Sequence, residues 1–105
     1  MSYYRLDVYV PESHLEELKS ALFAAGAGRL GEYDCCCFQM LGTGQFRPSD
    51  SANPFLGEAG RLEQVAKWKL EMIVSKEALP TVLHALKQAH PYETPAFQYW
   101  KVEME

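Results

Sequence analysis

His90-Pro91-Tyr92-Glu93-Thr94-Pro95, six residues near the C-terminus, decide how the rest of the chain is read. Two prolines stiffen the backbone around a histidine, a phenol and a carboxylate, whereas an ordinary turn is served by Gly, Asn or Asp. Before this segment Leu79, Val82, Leu83, Leu86 and Ala89 recur at helical spacing, with Pro80 in the first turn where a missing N–H costs least. After it, residues 96–103 alternate as a strand. The segment is therefore a rigid helix-to-strand joint carrying chemically capable side chains.

Working outward, Tyr4, Leu6, Val8 and Val10 alternate with Tyr3, Arg5, Asp7 and Tyr9, which predicts a half-buried strand over 3–10 stopped by Pro11. Leu15, Leu18, Leu22 and Ala25 predict a helix, with Glu12, Glu16 and Glu17 near its positive end and Gly26 as its C′ residue. Residues 33–41 predict a second strand, Gly42-Thr43-Gly44 a turn, and 45–47 a short returning strand. Residues 48–60, rich in Ser, Asp, Pro and Gly, predict a long ordered loop pinned by Phe55 and Leu56. Ala66, Trp68, Leu70, Met72 and Val74 alternate with charged neighbours as a third main strand, and Ser75 is the candidate N-cap of the second helix.

The order is β-α-β-(β)-β-α-β, the α+β ferredoxin-like plan of an antiparallel sheet with two helices on one face. Tyr3, Tyr9 and either Phe97 and Tyr99 or Trp100 and Val102 are left on the opposite face. An aromatic patch of that kind marks an interface, so an oligomer is expected.

The 105 residues fit one domain, 1–105, large enough to bury about two-thirds of the unfolded surface. A formal charge of −4 argues against nucleic-acid binding, which needs a basic footprint. No apolar run reaches the roughly 18 residues of a membrane span, and the N-terminus lacks a signal-peptide core, so cytoplasmic residence is expected. Three contiguous cysteines do not form a disulfide framework.

Gly26-Ala27-Gly28-Arg29-Leu30-Gly31 matches G-x-G-x-x-G, but it follows a helix and precedes a strand. That order puts the carbonyl end of a helix at the loop, which is wrong for an anion, so helix capping plus a tight turn is expected, with nucleotide binding as the alternative. Cys35, Cys36 and Cys37 lack the spacing of a structural zinc site, and the expectation is burial as small hydrophobes, with soft-metal or redox capture as the alternative. Gly42 and Gly44 beside Arg47 allow either a backbone nest for a carboxylate or phosphate, or a hairpin turn with Arg47 paired to an acid. His90 and Glu93 are the best candidates for chemistry, either as ligands of a divalent metal completed by Glu63, Glu71 or a neighbouring subunit, or as hydrogen-bonding ties across the joint. No nucleophile–base pair and no paired carboxylates are present at a recognisable spacing.

Taken together, Gly26–Tyr33, Gly42-Thr43-Gly44-Gln45-Phe46-Arg47-Pro48, Asn53-Pro54-Phe55-Leu56-Gly57 and His90-Pro91-Tyr92-Glu93 resemble the small domain inserted in bacterial YqfO proteins of the Nif3-like (NGG1-interacting factor) superfamily. Leu79-Pro80 through Pro95 is also similar to the CutA divalent-ion tolerance proteins. The resemblance covers nearly the whole chain and implies the PII-like variant of the fold, a stand-alone version of the insert, and a homotrimer with strands paired across subunits. It also implies that the two-metal site of YqfO proteins, which lies in their flanking core, is not carried here. The expected function is a non-catalytic trimeric module binding a small anionic ligand or a protein partner in the clefts between subunits. Its site would be lined by Gly42, Gly44, Arg47, Asn53, His90, Tyr92 and Glu93, and the alternative is a divalent metal held by His90 and Glu93.

Overall fold

The computed structural model describes residues 2–105. Its elements run β1 (Tyr3–Pro11), a 3-10 turn at Glu12–His14, α1 (Leu15–Ala24), β2 (Phe38–Phe46), β3 (Glu63–Ser75), α2 (Leu79–Ala89) and β4 (Phe97–Val102). The sheet order is β2-β3-β1-β4 with every neighbour antiparallel. Each helix thus links two parallel strands separated by one other, the ferredoxin-like arrangement expected.

Period-two alternation sets the layers. Leu6, Val8 and Val10 of β1 and Leu70, Met72 and Val74 of β3 are buried against Leu15, Leu18 and Leu22 of α1 and Val82 and Leu86 of α2. Fully burying each such side chain contributes about 1.5–3 kcal/mol, so the two helix stripes fix α1 and α2 to one face.

The helix ends follow local chemistry. Gly26, at φ +112°, closes α1 in a Schellman motif: Ala27 N–H donates to Leu22 C=O at 3.0 Å and Gly26 N–H to Phe23 C=O at 3.1 Å. Ala78 rather than Ser75 is the N-cap of α2, and Ser75 Oγ instead accepts the Ala78 N–H at 3.2 Å in the turn before it. Pro80 lies in the first turn of α2 as expected.

Four expectations need correction. The second strand begins at Phe38 and runs through Gly42, Thr43 and Gly44 to Phe46, so these glycines are extended backbone and form neither a turn nor a nest, and no returning strand follows. Pairing with β3 overrides the weak strand preference of glycine, as edge and partner contacts commonly do. Second, residues 33–37 turn instead of extending, with Cys35 at φ +55°. Third, the cysteines are therefore not buried: Cys35 is exposed and Cys36 and Cys37 are half-buried. Fourth, the face away from the helices carries Tyr3, Tyr9 and Trp100, but its centre is an ion quartet. Arg5 meets Asp7 at 2.9 Å and Glu71 at 2.7 Å, and Lys69 meets Glu71 at 3.0 Å and Asp7 at 3.5 Å. Lys69 and then Arg5 hold Glu71 below the usual carboxylate range.

β1 pairs with Lys67–Ser75, whereas Glu63–Ala66 of β3 pair only with Thr43–Phe46 of β2. The β2–β3 ribbon thus projects beyond β1, and the long loop 47–62 leaves from its tip.

Candidate functional site

The projecting ribbon, the loop and the joint after α2 meet around a cleft of about 300 Å³. Gln45, Phe46, Arg47, Pro48 and Lys67 form one side, Ala52, Pro54, Phe55 and Leu56 the second, and Tyr92, Glu93, Thr94 and Ala96 the third. The three segments that were singled out in the sequence, widely separated along the chain, converge here.

His90 anchors the joint from behind. It is 6% exposed; its Nε2 lies 2.7 Å from the Tyr9 carbonyl, and its Nδ1 accepts the Tyr92 N–H at 3.1 Å. Because Nδ1 accepts, Nε2 must carry the proton, and the ring is the neutral Nε2–H tautomer. Burial pushes its pKa down, with the bond to the Tyr9 carbonyl opposing and Lys67 and His14 adding to the fall. Neither nitrogen keeps a free lone pair for a metal. Among the described residues no three His, Cys, Asp or Glu side chains gather into a metal-binding group, and Glu71, once a candidate third ligand, is engaged in the ion quartet.

Glu93 holds the loop. Its Oε1 accepts the backbone N–H of Asn53 at 3.0 Å, so Asn53 contributes its main chain. Phe55 then packs edge-on to His14 at 5.4 Å and tilted to Tyr92 at 6.2 Å, and Phe46 lies 6.1 Å from Tyr92. The expectation of a pinned loop is met by Phe55.

The residue that sequence reasoning missed is Lys67. Its Nζ lies 4.8 Å from the centre of the Tyr92 ring and 5.5 Å from that of Phe46, a cation against two aromatic faces. Among the described residues it has no hydrogen bond or ion pair, and burial pushes its pKa down. Gly44 makes this position possible: a Cβ there would lie 2.5 Å from Lys67 Cδ and 2.8 Å from Cε. Gly42 and Gly44 line a neighbouring hollow with Tyr9, Met40 and Lys69, so they border the cleft without lining it. Arg47 stands exposed at the rim, likewise without a bonded partner among the described residues. The only sign of Lys67 in the sequence was its place as an outward residue of a strand; its role depends on the register, which pairs it with Gly42 and lets its stem lie diagonally over Gly44.

Chemically, the cleft offers two unpaired cations, one carboxylate already engaged with an amide, and walls of aromatic rings and prolines. Tyr92 Oη is buried without a hydrogen-bond partner among the described residues, and burial pushes the phenol pKa up, keeping it protonated.

No family model matches the chain. Over 104 residues, 99% of its length, it is 41% identical to the GTP cyclohydrolase 1 type 2 homolog of Halalkalibacterium halodurans, and covers 28% of that protein. The Bacillus cereus protein related to NIF3 superposes with a TM-score of 0.83 at 35% identity, over 98% of this chain and 26% of that one. CutA from Xylella fastidiosa superposes with a TM-score of 0.71 at 16% identity, over 100% of this chain and 88% of its own, a likeness of fold alone. The chain thus spans under a third of the curated relatives it matches. It is a homologue, over nearly its whole length, of one part of the Nif3-related proteins, folded as a CutA-like ferredoxin domain.

Proposed function

We propose that this chain is a non-catalytic, homotrimeric module that binds a small anionic ligand, or an acidic group of a protein partner, in the cleft between β2, the 47–62 loop and the His90–Glu93 joint. The observation that carries the reading is Lys67, a half-buried cation set against Tyr92 and Phe46 with no acid of its own. A cation in that setting is satisfied best by an incoming anion, and Arg47 at the rim supplies a second donor group. The cyclohydrolase in the names of the longer relatives is not carried over, since this chain spans under a third of those proteins. The free thiols fit a reducing cytoplasm.

The trimer is supported by β2, an edge strand that exposes Phe38, Met40 and Leu41. Bare edges of this kind invite pairing with another chain. A divalent-metal role for His90 and Glu93 is the weaker reading, because both imidazole nitrogens and one Glu93 oxygen are already engaged.

Native mass spectrometry of protein purified without chelator tests the assembly: a bare trimer is expected, while one metal per subunit would restore the metal reading and a monomer would remove the trimer. Thermal-shift titration with a panel of small anions tests the cleft. Wild type should be stabilised by some of them and Arg47→Ala by none; an Arg47→Ala protein stabilised equally would refute the role of Arg47.

A further inference from the structure

We propose that the ligand of the cleft is a monocyclic aromatic carboxylate, its ring held by the aromatic and proline walls and its carboxylate by Lys67 and Arg47. This rests on the anion-binding reading above and names the ligand class.

Charge is the first argument. Lys69, two residues from Lys67 on the same face of β3, is paired with Asp7 and Glu71, and Arg61 is paired with Glu58 and Glu63. Lys67 and Arg47 have no such partners among the described residues, although the chain carries a net charge of −4 and more acids than bases. Two cations against the single carboxylate of Glu93 leave the cleft one positive charge, which matches a monoanion and disfavours a dianion. A guanidinium presents a planar fork suited to a carboxylate, and an ammonium adds a point charge.

Shape is the second. Phe55 is 48% exposed and is held by ring contacts to His14 and Tyr92. Together with Pro54 and Leu56 it gives the cleft an apolar wall on the loop side, apart from the side that carries Arg47 and Lys67. A ring with an acid at one end meets both walls, whereas an aliphatic acid leaves the aromatic faces wet. Size is the third: about 300 Å³ lies at the low end for ligand clefts and admits one ring, not a nucleotide.

The test uses the full chain and four probes, benzoate, cyclohexanecarboxylate, phenyl phosphate and benzyl alcohol, read by amide chemical shifts at Arg47, Lys67 and Tyr92. Benzoate should shift these resonances saturably, with cyclohexanecarboxylate at least fivefold weaker and benzyl alcohol and phenyl phosphate weaker still. Lys67→Met should weaken benzoate at least tenfold, and Gly44→Ala, which displaces the lysine and keeps its charge, should do so as well. If cyclohexanecarboxylate binds as tightly as benzoate, the ring is not recognised and only the broader anion reading survives. Tighter binding of phenyl phosphate overturns the monoanion argument. Silence of the cleft to all three acids overturns both this proposal and the anion-binding function beneath it.

Discussion

Substituting His90 one ring nitrogen at a time separates its two bonds. Asparagine at this position can place an oxygen where Nδ1 accepts the Tyr92 N–H, and glutamine can place an N–H where Nε2 meets the Tyr9 carbonyl. Each leaves one backbone group of a largely buried joint without its partner, at a cost of about 1–3 kcal/mol. Alanine orphans both and opens a void where a 6% exposed ring had been, so His90→Ala should lose about 3–5 kcal/mol. Acid reproduces part of this damage in the wild type. A protonated imidazole would point an N–H from Nδ1 at the Tyr92 N–H, two donors face to face.

The sign of the pH effect follows. Burial lowers the His90 pKa in the folded protein, so the unfolded chain takes up the proton first. The stability that neutral His90 contributes is fully present above the unfolded value of about 6.5. It is lost as pH falls through that value toward the lowered folded pKa, at about 1.4 kcal/mol per pH unit. Urea unfolding at pH 8, 7, 6 and 5 for wild type and His90→Gln isolates this term, since the other titrating groups are shared. The stability gap between the two proteins should narrow as pH falls from 7 to 5. An unchanged gap, or an imidazole nitrogen spectrum showing the Nδ1–H tautomer, would refute the reasoning.

Three further outcomes rest on separate features. Gly28→Ala should cost at least about 2 kcal/mol in urea unfolding, because Gly28 sits at φ +74° and a Cβ would lie 2.6 Å from the Cys36 carbonyl oxygen, a backbone atom with little room to yield; a loss under about 1 kcal/mol would count against it. Gly44→Ala meets only the flexible Lys67 stem, so its stability should stay within about 1 kcal/mol of wild type, while the Tyr92 ring protons shift as the ammonium leaves their face; unmoved Tyr92 resonances would contradict the packing. Asp7→Ala removes a carboxylate whose side chain is 9% exposed and leaves Arg5 and Lys69 sharing Glu71 alone. It should cost about 2–4 kcal/mol by thermal or urea unfolding, and a neutral result would mean that the quartet is only a surface arrangement.

How much of this was legible in the sequence depends on what fixes each element. β1, α1, α2 and the core half of β3 bury a face against each other, so hydrophobic periodicity reported them directly: Leu6, Val8 and Val10, and Leu79, Val82 and Leu86, fall where the pattern put them. β2 lies at the sheet edge and is largely exposed, so its composition carried little register information. The apolar run Cys35–Leu41 pulled the expected strand five residues too early. The cleft was half legible. Prolines and a histidine at the joint stood out as unusual, as did Arg47 and Phe55. Lys67 did not, because nothing along the chain links it to Gly44, and only antiparallel pairing places the lysine stem over the missing side chain.

The His90–Pro95 segment is tied to the sheet and to the cleft by a chain of contacts. His90 ties the Tyr9 carbonyl of β1 to the Tyr92 amide, Tyr92 offers its ring to Lys67, and Gly44 makes room for the lysine. That chain of contacts makes stability and the proposed ligand binding separable at one residue. His90→Asn keeps the acceptor for the Tyr92 N–H and loses the tie to β1, while His90→Gln does the reverse. Both should be destabilised to a similar degree, since each orphans one backbone group. Only His90→Gln releases Tyr92, and with it the aromatic face that positions the cation. Benzoate affinity, measured where both variants remain folded, should therefore fall at least threefold further in His90→Gln than in His90→Asn. Equal losses would mean that the histidine merely stabilises the domain, and that Lys67 finds its place without the joint.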